Sequence, residues 1–323
     1  MPTSFSSTML QAAGRGMRAM PAGQQSQLRA FAAAQWHADG GFCDRSGRAD
    51  LYYSVFGLAI TAACVSLPQP DGTGVSRASC PQWIAAGRLM GFLGAQARRD
   101  DLDMVHLCSL ARAWRFAMDI PLDLPPGHPF GQPKEVQSGL GARLRRFCCP
   151  SGAYHHSSTG QSGSTYGCFL AVGAMQDLGL EEQGSDAIAD CLAQMRTADG
   201  GYMNDADLPM ANTPSTAAAI MIRSALGLAA DEAAAGWLLS QQRDDGGFVA
   251  VPQVPLADLL STATALMALE SAGVVLPAGA AARARGFAQG LWNPRGGFCG
   301  SSFDDSLDCE YTFYGLVCMG AGS

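Results

Sequence analysis

Two segments of the sequence gather side chains that could bind an ionic group or a cation. The first is DGGFCDRSGRADLYYSVFGL, near the N-terminus, and a similar segment returns near the C-terminus as PRGGFCGSSFDDSLDCEYTFYGL. Their candidate residues are Arg45, Arg48, Asp50, Tyr52, Tyr53, Asp304, Asp305, Asp308, Glu310 and Tyr311. Carboxylate oxygens are suitable ligands for hard cations such as Mg²⁺. Both segments are therefore candidates for a functional site.

A third group lies between them, in the stretch DMVH, where His106 follows Asp103 by three positions. The simpler interpretation of each aspartate is a helix cap, since Asp and Ser at the start of a helix contribute about 1 kcal/mol by accepting a backbone hydrogen bond. A cap does not require Glu310, Tyr311 or His106 beside it. The density of polar groups in these three segments therefore indicates a functional site in addition to caps.

An internal repeat tells us how these segments are positioned. Gly-Gly pairs begin at Gly40, Gly200, Gly246 and Gly296, and Gly152 marks a degenerate copy. The last three intervals are about 50 residues and the first is about twice that length, which predicts six units. In each unit an amphipathic segment leads to a turn, and a more apolar segment follows the turn. Glycine ends the first helix, because it adopts positive φ without penalty.

Twelve helices in six hairpins predict an all-α fold. The nearly apolar second helices suit an inner ring and the amphipathic first helices suit an outer ring. We therefore predict an (α/α)6 toroid over residues 24–323, with an open solenoid as the structural alternative. Residues 1–23 are small and polar and predict a flexible or loosely docked N-terminal arm. Parallel inner helices would place their N-termini at one mouth, where units six, one and two form a continuous arc.

Composition narrows the class of function. The formal net charge is −7, which disfavours nucleic-acid binding. No uninterrupted apolar run is long enough to predict a membrane span. Eleven cysteines, an odd number with no CxxC pair and no secretory leader, favour reduced thiols and a cytoplasmic location.

The stretch GGFCDRSGRADLYYS resembles the repeat of protein prenyltransferase β subunits, within the terpenoid cyclase and protein prenyltransferase toroid superfamily. The resemblance implies that Asp50 and His106 correspond to zinc-binding residues. It also implies that Arg45 and Arg48 hold an isoprenoid diphosphate, whose oxygens suit the guanidinium fork. At the position of the family's zinc-binding cysteine this chain has Tyr52. Such subunits work with a helical partner subunit, which the resemblance also implies here.

The second segment offers another metal site by the same resemblance. Asp308 and Glu310 occupy the family's Asp-x-Cys positions, and DDSLD fits the DDxxD pattern that holds Mg²⁺ and diphosphate in class I isoprenoid enzymes. A solvated loop with a cap is the alternative for that run. Class II terpene cyclases protonate an alkene with the middle Asp of DxDD. That motif is absent, and DLLSTA has Ser261 where an acid is needed, so cyclisation is disfavoured.

From the sequence we therefore expect a prenyltransferase-like toroid that transfers an isoprenoid group from a prenyl diphosphate, or binds another apolar ligand, in a central cavity. The expected catalytic residues are Asp50, Tyr52, Tyr53, His106 and Tyr311. The expected diphosphate-binding residues are Arg45 and Arg48, and the expected ligands of a divalent zinc or magnesium ion are Asp50, His106, Asp308 and Glu310. The alternative is a catalytically degenerate toroid that serves as a lipid-binding or protein-interaction scaffold.

Overall fold

The computed structural model describes residues 4–66, 81–122, 133–180 and 184–322. Its helices are α1 (Phe5–Ala19), α2 (Ala22–Ala34), α3 (Leu51–Val65), α4 (Ala86–Ala97), α5 (Met104–Asp119), α6 (Pro133–Leu144), α7 (Thr165–Leu178), α8 (Ser185–Met195), α9 (Thr213–Ala225), α10 (Glu232–Ser240), α11 (Leu259–Ser271), α12 (Ala280–Gly290) and α13 (Cys309–Met319). Three antiparallel strand pairs complete the structure: β1 (Phe42–Cys43) with β2 (Ala49–Asp50), β3 (Phe248–Val249) with β4 (Ala257–Asp258), and β5 (Trp292–Asn293) with β6 (Gly297–Phe298).

The six odd-numbered helices from α3 to α13 form a closed inner ring. Each contacts the next in sequence, and α13 packs against α3. These helices are apolar on nearly all sides, so they can be buried both against each other and against the even-numbered outer helices. The predicted (α/α)6 toroid is confirmed, and the contact between α13 and α3 excludes the open solenoid.

The Gly-Gly turns join the units as well as ending helices. Gly40, Gly246 and Gly296 have φ between 94° and 101°. A Cβ atom on Gly40 would lie 2.1 Å from the carbonyl oxygen of Arg88 in α4, and one on Gly296 would lie 2.2 Å from that of Gln27 in α2. Each turn therefore packs directly on the backbone of the next outer helix. The turn of unit six does so on unit one, which closes the outer ring as well.

Every inner helix begins at a side-chain cap. Asp50, Asp103, Ser164, Asn212, Asp258 and Asp308 each accept a hydrogen bond from the backbone N–H three residues later. The caps satisfy donors that the helix itself leaves free. They also fix the direction of the first turn, so equivalent residues of the six helices point the same way.

The N-terminal segment differs from the prediction. Instead of a flexible or loosely docked arm, residues 5–19 form α1, in which Phe5 and Met17 are buried. Helix α1 contacts α3, α5, α7, α11 and α13, so it lies across one end of the inner ring. The small residues of this segment allow close packing: a Cβ atom on Gly16 would lie 1.8 Å from the carbonyl oxygen of Leu316.

Candidate active site

The second residue of each inner helix marks the entrance to the central cavity. Five of these six residues line it, namely Tyr52, Val105, Tyr166, Pro214 and Leu260. The sixth equivalent position, in α13, is Glu310. The caps set this common direction. The repeat therefore places one carboxyl group in an otherwise uncharged set of equivalent positions; Glu310 does not itself line the cavity but contacts Tyr52, which does.

Glu310 is buried and is held by a tyrosine from the neighbouring unit. The Tyr52 hydroxyl donates to Glu310 Oε1 across 2.5 Å, and the residue is only 9% exposed. Burial raises the pKa of Glu310, the hydrogen bond from Tyr52 lowers it, and the charge of Asp308 raises it; the pKa lies above its ordinary value. The site therefore favours a protonated acid at this position more than water does.

Arg45 of unit one pairs with two aspartates of unit six, close to the Tyr52–Glu310 hydrogen bond. Its Nε donates to Asp308 Oδ2 across 2.8 Å, and its Nη2 lies 3.2 Å from Asp304 Oδ2. The guanidinium also lies over the Tyr311 ring, 5.3 Å from the centroid. Asp308 Oδ1 caps α13 by accepting from the N–H of Tyr311. Both oxygens of this buried carboxylate therefore have partners.

His106 joins unit two to unit one in a similar way. Its Nδ1 lies 2.8 Å from Asp103 Oδ1 and its Nε2 lies 3.5 Å from Asp50 Oδ2. The hydrogen bond to Asp50 raises the pKa of His106 most, burial lowers it, and Asp103 raises it, to about 9. Burial opposes ionisation of Asp50, but His106 and backbone N–H groups hold the pKa of Asp50 below its ordinary value. The result is an imidazolium between two carboxylates.

The two remaining predicted residues occupy different surroundings. Tyr53 lies close to both the cluster of Arg45, Asp308 and Glu310 and the cluster of Asp50 and His106. Burial raises the pKa of Tyr53 most, and the charges of Asp308, Glu310 and Asp50 add to the rise, to about 12. Arg48 belongs to neither cluster. Its side chain is 82% exposed and pairs with Asp44 and Ser46 of its own loop. The predicted diphosphate pair is therefore not formed by Arg45 and Arg48 in this arrangement.

The predicted metal ligands do not fit a metal ion as they are placed. Asp308 is used by Arg45 and the cap, and both ring nitrogens of His106 already face carboxylates. Within the described ranges, no group of three or more His, Cys, Asp or Glu side chains is arranged to hold a metal. The divalent cation stays a prediction from the sequence.

The central cavity has a volume of about 350 Å³ and is lined mainly by apolar groups. Its aromatic side chains are Phe5, Tyr52, Phe56, Tyr166, Phe169, Phe313 and Tyr314. Several pack edge to face, such as Tyr52 on Phe56 with ring centroids 5.0 Å apart. The electron-rich faces of such rings stabilise positive charge that develops in an apolar ligand.

The sequence did not predict the polar pair deep in this cavity. Arg112 is the only charged residue among the described cavity-lining residues. Its Nε donates across 2.9 Å to Oδ2 of the buried Asp177. An arginine within the apolar α5 and an aspartate near the end of α7 were the available signals, but only the fold shows that the two meet.

Comparison with known structures agrees with this architecture. A variant of the type II terpene cyclase MstE from Scytonema, solved with its product merosterolic acid A, aligns with a TM-score of 0.59 and 13% identity, covering 97% of this chain and 96% of that one. Protein geranylgeranyltransferase-I from Candida albicans, complexed with GGPP, aligns at 0.57 and 12%, covering 97% and 89%. No curated protein sequence matched the chain.

In the described parts of the chain, every helix is too short or too polar to span a membrane.

At sequence level, the family model of the prenyltransferase alpha-alpha toroid domain matches residues 8–84 and 145–321. That match covers well over half of the chain, so the protein belongs to the prenyltransferase alpha-alpha toroid family.

Proposed function

We propose that this protein is an enzyme that binds an isoprenoid chain in its central cavity and protonates it from Glu310. The observation that carries the proposal is the aromatic cavity together with one buried carboxyl group, that of Glu310, which lies directly behind the cavity-lining Tyr52 and accepts its hydrogen bond. A cavity of about 350 Å³ is of the size that holds one small ligand. Two aligned structures hold a geranylgeranyl substrate or GGPP, which supports the choice of ligand.

The chemistry follows from the surroundings of Glu310. Transfer of its proton to a carbon–carbon double bond leaves a carboxylate on the protein and a carbocation on the ligand. Loss of a proton from a carbon next to the cation, back to the carboxylate, then gives a neutral product and restores the acid. The hydrogen bond from Tyr52 stabilises the carboxylate. The aromatic rings stabilise the carbocation, and the apolar lining keeps water away from it. A pKa above the ordinary value of a glutamate favours the protonated starting form.

Glu310 also provides an acid in a chain that lacks the DxDD motif. The run Asp308-Cys309-Glu310 has an acid two residues after an aspartate, as the middle Asp of DxDD has. In this chain Asp308 is the cap of α13 and Glu310 lies in its first turn.

Transfer of an isoprenoid group from a prenyl diphosphate is the second candidate, and Arg45 and His106 at the mouth favour it. Both cations are engaged by carboxylates: Arg45 by Asp304 and Asp308, and His106 by Asp50 and Asp103. A diphosphate would have to displace at least one of these carboxylates, with a cost in electrostatic energy. The acid-initiated reaction requires no such exchange, so it is the first candidate.

The test uses geranylgeraniol and geranylgeranyl diphosphate as probes, with D₂O as solvent. Protonation gives a product that carries deuterium on carbon and retains its oxygen or diphosphate group. Transfer releases pyrophosphate without deuterium uptake. Mass spectrometry and a pyrophosphate assay separate the two outcomes.

The decisive variant is Glu310→Gln, which keeps the shape of the side chain and removes the acidic proton. We expect turnover to fall by at least about 100-fold with little change in probe binding. Glu232→Gln, on the exposed first turn of α10, is the matched control and should retain full turnover. Stoichiometric binding without any product in the unaltered protein would instead support the lipid-binding scaffold predicted as the alternative.

A further inference from the structure

Helix α1 lies outside the six hairpins yet supplies part of the cavity wall. Phe5 and Met9 line the cavity together with residues of the inner helices. The contacts of α1 fall near the C-terminal ends of those helices: Arg15 pairs with Glu270 at the end of α11, and Gly16 packs against Leu316 in α13. Because the entrance lies at the opposite, N-terminal ends, α1 forms the floor of the cavity.

The floor is fixed in place at both ends of α1. At its start, the backbone N–H of Phe5 donates to Gln176 Oε1 across 3.0 Å, and the Ser6 hydroxyl donates to Asp177 Oδ1. The other oxygen of this buried carboxylate accepts from Arg112. At its end, Arg15 lies 2.6 Å from Glu270. A helix held in this way acts as a rigid wall.

We propose that Phe5 and Met9 limit the length of the isoprenoid that the cavity accepts. The inference rests on the proposed function and names the part of the ligand that these residues meet, the end remote from Glu310. The Phe5 ring stacks on Phe169 of α7, with centroids 4.9 Å apart, so it closes the cavity with a flat, well-packed surface. The residues that would limit the length of the isoprenoid therefore lie in α1, outside the six repeat units and without their motifs.

The size of the side chains makes the proposal quantitative. Replacing Phe5 with alanine removes a phenyl ring, which is comparable in bulk with one isoprene unit. Replacing Met9 removes a smaller, flexible group. Because close-packed walls relax only partly when a large side chain is removed, most of that space becomes available to a longer ligand.

The experiment measures the binding of geraniol, farnesol and geranylgeraniol, and a longer homologue with one further isoprene unit, to the purified full-length chain. For Phe5→Ala we expect the affinity ratio between a chain one unit longer and the chain preferred by the unaltered protein to rise roughly tenfold. Phe5→Trp should shift the ratio towards shorter chains. Met9→Ala should act like Phe5→Ala with a smaller change.

Met17→Ala is the matched control for Met9→Ala. Met17 lies on the same helix and is fully buried, but it does not line the cavity. It should lower the melting temperature without changing the order of affinities. Phe5→Leu serves if Phe5→Ala does not fold, as judged by circular dichroism.

The outcomes separate the two proposals. If the unaltered protein binds none of the probes, the proposed function is wrong. If it binds them and the Phe5 and Met9 variants keep the same preference, or Met17→Ala changes it equally, the role of the floor is wrong.

Discussion

The contacts between units six and one and those between units one and two use the same construction. In each, the aspartate that caps an inner helix also pairs with a cation from the following unit. Arg45 reaches Asp308 at the first, and His106 reaches Asp50 at the second. At these two contacts, ion pairs at the mouth thus join neighbouring units.

The two contacts differ in burial and in the residue that follows the cap. The Asp308 side chain is 2% exposed and that of Asp50 is 26% exposed. Two positions after the cap, α13 has Glu310 and α3 has Tyr52, and these side chains meet. The two contacts thus share a capping ion pair and differ in the residue beside it. The acid chemistry that we propose depends on a single glutamate at a position that is uncharged in the other five inner helices.

The sharpest test of this comparison removes each capping aspartate in turn. We expect Asp308→Ala to lower the free energy of unfolding by about 3 kcal/mol, because it removes a cap and breaks an ion pair with one buried partner. Asp50→Ala should cost about 1 kcal/mol, since its ion pair is longer and more exposed. Urea denaturation measures both. Equal losses would show that burial does not distinguish the two contacts.

We expect a smaller effect on the free energy of unfolding from the pH dependence of the contact between His106 and Asp50. The pKa of His106 is about 9 when folded, above the unfolded value of 6.5. The stabilisation is therefore complete below pH 6.5 and is lost as the pH rises through 9. The side chain is 37% exposed, so we expect a loss of only about 1 kcal/mol across this window.

His106→Gln is the comparison variant for that measurement. Its unfolding free energy should change less than that of the unaltered protein between pH 6.5 and 9, and the two curves should converge at the alkaline end. A parallel pair of curves would mean that the imidazolium between Asp50 and Asp103 adds nothing to stability.

The smallest effect is expected at Arg48, which belongs to neither contact. Arg48→Ala should change the free energy of unfolding by less than about 0.5 kcal/mol, because its ion pair is exposed and local. Turnover should also be unchanged. A large loss of stability or of turnover would support the diphosphate-binding role that the sequence predicted for Arg48.

The architecture was predictable because it depends on local, repeated signals. Positive-φ glycines end the first helix in five of the six units, and the capping residues and the change from amphipathic to apolar helices recur in all six, so weak local signals reinforce one another. The arc of units six, one and two also follows from ring closure. This predicted arc correctly placed the segments that contain Arg45 and Asp308 next to each other.

The pairing of individual side chains was harder to predict. Asp308 and Glu310 suggested two ligands of one ion, but one pairs with Arg45 and the other with Tyr52, since residues two positions apart on a helix face different neighbours. Helix α1 was missed because glycine and small polar residues indicate flexibility in isolation. Here they permit close packing against α13, which only the tertiary structure shows.

Closure of the inner ring by α13 against α3 has a consequence for how the protein folds. Tyr52 and Glu310 are 258 positions apart in sequence, and the contact that joins them requires the last helix of the ring. Contacts so distant in sequence are slow to form, because the loop-closure entropy must be overcome first. Until then, the apolar faces of α1 and α3 that α13 covers are exposed to other chains. We expect this unfinished ring to be the form of the protein most prone to aggregation.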